Sequence, residues 1–305
     1  MSTATTERAP SSAQIEAATA AFETAVVAAS MGAVARQLSA ILAPIRSAFN
    51  DTSWRLAIRR AAQDLTHLHP GVSTRLRQAV QPGVKLGAKH AGVPLPAEWS
   101  PLHDDVLSGV IGTIDLDVRR VARDVAERLP QLAPGSLTAA ETMVGRVESK
   151  VRVAAVTTAH RSVAAGFEAA STAAGKGRMW IAERNACLAC LAYSGLIAPA
   201  DENFPAALSF GARAAVWTIS GPSGPPAHHS CRCHLQVPDR GVSVGLRREA
   251  SRSVVKGWSG YDSLPARLKA AQRLIARGVI LPPTVIQRAE NEIKRGQFGP
   301  LPPLK

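Results

Sequence analysis

The chain has four cysteines, and they lie in two short clusters: Cys187-Leu-Ala-Cys190, then His228-His229-Ser230-Cys231-Arg232-Cys233. Sulfur and imidazole nitrogen at these spacings are ligands for a metal ion. A CxxC turn brings two sulfurs onto one ion, and HxxCxC supplies a second pair that closes the intervening loop. Tetrahedral zinc, with Zn–S and Zn–N bonds of about 2.3 and 2.0 Å, accepts four ligands. Five candidates therefore compete for those places: Cys187, Cys190, His228, Cys231 and Cys233. Three cysteines with His228, or all four cysteines, both complete the set, and His229 is left to the surroundings or to solvent. The plain alternative is a group of reduced core thiols, or a pair of labile disulfides.

A full set of protein ligands leaves no place for water or substrate, so the expected zinc is structural. Catalytic zinc keeps an open position and a carboxylate nearby. The nearest acidic residue, Glu183, precedes the CxxC instead of standing in the His-x-Glu pattern of zinc deaminases. No Gly-x-Ser-x-Gly, HExxH or Walker sequence occurs. No catalytic or organic-cofactor residues are expected, and the chain is not read as an enzyme. Cysteines confined to one window suit a metal site in a reducing compartment better than a disulfide scaffold.

The elements that must hold this window are mostly helical. Val27, Met31, Val34, Leu38, Ile41 and Ile45 recur at steps of four and three, which predicts a helix over residues 13–45, stopped or kinked at Pro44. Its stripe faces the core or, as the alternative, forms a seam with a second copy. The longest weakly charged stretch, Thr24 to Ala35, is too short to cross a bilayer. A second helix is expected over residues 52–68, followed by a break at His69-Pro70-Gly71. The Pro- and Gly-rich region 81–101 reads as a loop or interdomain connection. Leu107, Val110, Ile114, Val118, Val121, Val125 and Leu129 mark an amphipathic helix over 103–129, with Arg119, Arg120 and Arg123 on a solvated face among Asp115, Asp117 and Asp124. Thr138 and Glu141 have the spacing of a capping box that opens a long helix ending at Gly175-Lys176-Gly177. Met179-Trp180-Ile181 is strand-like, and a short helix is expected around residues 206–216.

Charge separates the last segment from the rest. The 305 residues carry 36 Lys and Arg against 23 Asp and Glu, a net +13. From Pro238 to Lys305 there are 13 basic and 5 acidic residues, which is a surplus of eight. Such a balance calls for an acidic partner, double-stranded DNA bound without sequence preference being the first candidate. Two short helices are expected in this segment, over 263–277 and 284–295. The fold class is therefore mainly α: a helical N-terminal half, a long helix leading into a small zinc-stapled α+β module, and a basic helical C-terminal segment. The divisions fall at 1–12 (disordered tail), 13–135 (helical region), 136–237 (Cys/His module) and 238–305 (basic extension).

One stretch carries a resemblance. Thr157-Thr158-Ala159-His160-Arg161 on the long helix, Trp180, Glu183-Arg184-Asn185-Ala186-Cys187-Leu-Ala-Cys190, Phe204-Pro205 and Pro225-Pro226-Ala227-His228-His229-Ser230-Cys231-Arg232-Cys233 together resemble the phage Mu F-like head-morphogenesis proteins. These are minor capsid proteins of tailed phages. The likeness covers residues 138–237. It departs from the family pattern at Glu183, where Asp is usual, at Asn185-Ala186, where Arg-Thr is usual, and in an insert at 212–220. The resemblance implies a structural component of the procapsid, associated with the portal or inner shell. It would be made in the host cytoplasm and lie inside the virion, with portal or major capsid protein and packaged DNA as partners. Neither a membrane nor an enzymatic role is expected, and self-association would use the N-terminal helices. The competing reading is a free zinc-knuckle DNA-binding protein.

Overall fold

The apolar stripe at steps of four and three becomes α1 (Ser12–Arg46) in the computed structural model, which describes residues 10–100, 105–183, 186, 190, 193–205, 207–209, 216–218, 222–226 and 231–255. Expectations for residues 1–9, for Cys187, His228 and His229, and for helices over 263–277 and 284–295 fall outside the described residues. After α1 come α2 (Asp51–His67), α3 (His69–Ala91), α4 (Asp105–Arg128), a single 3-10 turn at Leu129–Gln131, and α5 (Leu137–Ala173). The strands are short: β1 (Arg178–Ile181), β2 (Ile197–Ala198), β3 (Ala207–Ser209), β4 (Val216–Thr218) and β5 (His234–Gln236). A last helix, α6, spans Arg240–Val255. The described chain is mainly helical with a small three-stranded sheet.

The chain divides into two compact units. One is Glu16–Leu86 with Ala97–Val163; the other takes in residues up to Ile15, Gly87–Pro96 and the chain from Ala164 onward. The first unit is a helical assembly with one apolar core. Val34, Leu38, Ile41 and Ile45 of α1 meet Trp54, Ile58 and Leu65 of α2, Val72 and Leu76 of α3, Ile114, Val118 and Val125 of α4, and Val144, Val147 and Val151 of α5. The α1 stripe is thus a core face, and its burial accounts for the helix without a second copy. By length and composition α1 could cross a membrane over Ala13–Arg46, because the helix continues beyond the charge-poor stretch 24–35. Core helices pass the same test, and here the apolar stripe is already buried.

Capping decides several boundaries. Ser11 and Gln14 bond reciprocally at the start of α1: the Ser11 amide donates to Gln14 Oε1 at 2.8 Å and the Gln14 amide to Ser11 Oγ at 3.4 Å. Asn50 and Ser53 form a capping box at α2, with the Ser53 amide 2.8 Å from Asn50 Oδ1. The capping box expected from Thr138 and Glu141 does not form at α5. Both residues lie inside the helix, and Glu141 instead accepts from Arg46 of α1 at 2.9 Å. The far end of α5 follows the expectation. Gly175 (φ +63°) takes the left-handed position, its amide reaches Thr172 O at 3.0 Å, and the Lys176 amide reaches Ser171 O at 2.8 Å. That is a Schellman stop. At 37 residues α5 measures about 55 Å.

The largest departure from the sequence reading is α3, which runs straight through Pro82-Gly83 and Gly87. Gly83 is where the helices come together. A Cβ there would lie 2.8 Å from Ser162 Cβ and 2.9 Å from Phe22 Cε1, so only glycine lets α3 approach α5 and α1 so closely. Glycine's low helix propensity, about 1 kcal/mol, is a small cost beside the packing it permits. The short helix expected over 206–216 is also replaced at its margins, where β3 and β4 pair antiparallel as Ala207↔Thr218, Leu208↔Trp217 and Ser209↔Val216.

Candidate metal centre

The second unit is built around β1. All four residues of Arg178–Ile181 are buried, as befits the middle strand of the sheet β2-β1-β5. Both neighbours are antiparallel, with registers Met179↔Ile197 on one side and Ile181↔His234 on the other. The second register gathers the cysteines. Antiparallel pairing sets the beginning of β5 beside the end of β1, so Cys231 and Cys233, just before β5, meet the chain leaving β1 towards Cys190.

Cys190, Cys231 and Cys233 are buried and free of disulfides, and their sulfurs all lie within 4.8 Å of one another. The Cys190 and Cys231 sulfurs are 3.4 Å apart, well beyond a disulfide bond of about 2.05 Å. Four sulfurs held tetrahedrally at about 2.3 Å from one zinc sit about 3.8 Å from each other, so these separations bracket a shared ion. The Cys233 thiol is held well above the ordinary thiol range. A hydrogen bond with Cys190 pulls it down, while its bond with Cys231, burial and the Cys231 charge push it up. A cation would reverse that balance, since it stabilises the thiolates that burial disfavours. Three buried sulfurs at one point could hold a soft or borderline metal ion. Of the five residues singled out from sequence, the structure brings these three together, and Cys187 and His228 lie outside the described residues.

The turn carrying Cys190 is braced from two sides. The Ser194 amide donates to Cys190 O at 3.0 Å, and Gly195 (φ +75°) donates to Trp180 O at 2.8 Å. Beneath it, Trp180 stacks on Tyr193 with centroids 4.8 Å apart, and Phe204 meets both edge-on at 5.3 and 6.0 Å. Burial, then the neighbouring Cys190 charge, push the Tyr193 phenol well above its usual range. It therefore stays protonated and donates to Pro205 O at 2.8 Å. The Phe204 amide donates in turn to Pro222 O at 2.9 Å, a few residues before the cis Pro225-Pro226 bond. Gly224 fits because any side chain would strike the Glu168 carboxylate and Leu235.

The other brace is α6, which the sequence reading did not anticipate. Asp239 caps it by accepting from the Gly241 and Val242 amides at 2.9 and 3.1 Å. Ser243 Oγ donates to Gly195 O, and Arg247 donates to Ser194 O at 3.3 Å. A Cβ on Gly195 would stand 2.6 Å from Ser243 O and 2.8 Å from Leu246 Cβ, so the glycine serves both the turn and the helix against it. Asp239 at the N-cap position was the local signal for α6, whereas Val242, Val244 and Leu246 alternate at the spacing of a strand. Gly195 had none, because its neighbour is close only in space.

Arg178 supports the strand end opposite the cysteines. It is buried and donates to Pro199 O at 3.4 Å and to Glu202 O, which fastens the loop after β2. Burial draws its guanidinium below the usual value, and the Glu168 carboxylate acts the other way. A scan against protein-family models found no matching family, and searches of curated proteins and of solved structures found no match.

Proposed function

We propose that this protein is a minor capsid, head-morphogenesis component of a tailed phage. In this reading its second unit is stapled by zinc, and its basic C-terminal segment contacts packaged double-stranded DNA. The observation that carries it is the convergence of Cys190 with Cys231 and Cys233 at the foot of a strand that follows a long helix. These cysteines are among the residues that carry the likeness to the Mu F-like proteins. Cys187 or His228 would be the fourth ligand, and a closed set makes the ion a staple, not a Lewis acid. The helical unit would supply the surface for portal or major capsid protein, inside the virion.

Charge supports the DNA contact. Thirteen basic against five acidic residues after Val237 suit a salt-sensitive, sequence-independent interaction with phosphate. Mass spectrometry of purified particles and procapsids tests the assignment. The protein should be present at low stoichiometry and co-purify with portal or capsid subunits. Its absence from particles, together with sequence-dependent duplex binding by the pure protein, would instead establish a free DNA-binding protein.

A further inference from the structure

Between the N-terminal half of α2 and the turn after α4 lies a cleft of about 390 Å³, wholly within the helical unit. Trp54, Arg55, Ile58 and Arg59 line one side, and the turn from Pro130 to Pro134 lines the other. Its charged lining is entirely cationic. Among the described residues neither Arg55 nor Arg59 has a carboxylate partner. Elsewhere in this unit Arg46, Arg60, Arg119, Arg120, Arg128 and Lys150 are each paired with an acidic residue. Arg59 Nε is directed to Arg55 O at 3.4 Å, which leaves its terminal nitrogens for another group. Trp54 is 4% exposed, and its indole Nε1 has no acceptor among the described residues.

We propose that this cleft is a docking site for an acidic peptide segment of a partner protein, a glutamate or aspartate carboxylate meeting Arg55 and Arg59 and an adjoining apolar residue lying against Ile58 and the two prolines. Guanidinium groups bind carboxylates with paired, charge-assisted hydrogen bonds. The prolines and Ile58 offer an apolar wall that a free inorganic anion would not use. Rigid duplex DNA does not enter a concavity of this volume, whereas one or two side chains of an extended peptide fill it. The cleft's chemistry is independent of the head-assembly proposal.

The test uses the full chain and a fluorescein-labelled peptide of alternating glutamate and leucine, followed by fluorescence anisotropy. Arg55→Gln and Arg59→Gln should each weaken binding about tenfold or more, the size expected for losing a hydrogen bond between charged groups. Both side chains are exposed, so the melting temperature should be unchanged. Ala133→Phe, which fills the cleft from the turn side and leaves both arginines in place, should also abolish binding. A peptide with glutamine for glutamate should not compete. Four results would each overturn the site: undiminished binding by both arginine variants, undiminished binding by Ala133→Phe, equal competition by the glutamine peptide, or displacement of the peptide by a DNA duplex at equal charge.

Discussion

Replacing Cys231 with serine tests the staple most directly. The Cys231 sulfur lies 3.4 Å from that of Cys190 and is buried, so a hydroxyl there loses a thiolate ligand without opening the site to water. A metal that binds only the folded state stabilises it by RT ln(1 + [M]/Kd), which is about 4.1 kcal/mol when free metal exceeds Kd a thousandfold. The effect should be local. The amides of β1 and β5, which pair across Trp180↔Leu235, should lose protection against hydrogen exchange by up to about a thousandfold when metal is stripped or Cys231 is changed. Amides in the middle of α2 and α4 should keep theirs, because their core consists of residues of the other unit. Protein purified under reducing conditions without added metal should contain close to one equivalent by elemental analysis, and Cys231→Ser should contain almost none. Less than about a tenth of an equivalent in the reduced wild type would refute the staple, given the affinities of structural zinc. Unchanged β1 and β5 protection on chelation would refute it equally.

Gly83→Ala should cost about 1–3 kcal/mol in denaturant unfolding, because its methyl group falls on Ser162 and Phe22 at the α3–α5 crossing. Gly224→Ala should cost less, about 1 kcal/mol, with the loss confined to the strand unit, since the new methyl meets the Glu168 carboxylate and Leu235 Cδ1, ends of side chains that can move aside. His90 gives a pH signature: burial, then the charge of Lys89, lower its pKa from 6.5 to about 4. The unfolded chain then binds the proton more readily than the folded one, so His90 contributes stability above pH 6.5 that is lost as pH falls towards 4. Linkage puts the loss at roughly 2 kcal/mol by pH 5. His90→Leu should flatten that part of the stability–pH curve, and an unchanged slope would show that His90 is not the titrating group.

Sequence alone determined what depends on near neighbours along the chain. The stripes of α1 and α4 were legible because a helix repeats every 3.6 residues, and the residues it buries recur at that period whatever it packs against. Gly175 announced the end of α5 because a left-handed position is a local backbone demand. The cysteine spacing likewise announced the chemistry of a metal site, since ligand type and number are written in the residues. Tertiary structure decided what depends on groups distant in sequence. Pro82-Gly83 reads as a break by propensity, yet it becomes the closest part of a helix crossing because Ser162 and Phe22 require a residue without Cβ. Glu141 has the spacing of a cap, but Arg46 competes for it from another helix. The meeting of Cys190 with Cys231 and Cys233 rests on the antiparallel register of β1 with β5, across a sequence separation of 41 residues for the first pair. Docking of α6 on Gly195, and the setting of Arg55 and Arg59 opposite a proline turn across a cleft, were likewise outside the reach of any local pattern. Periodicity and propensity act over a few residues, whereas close approach and charge pairing are settled only when the chain has folded back on itself.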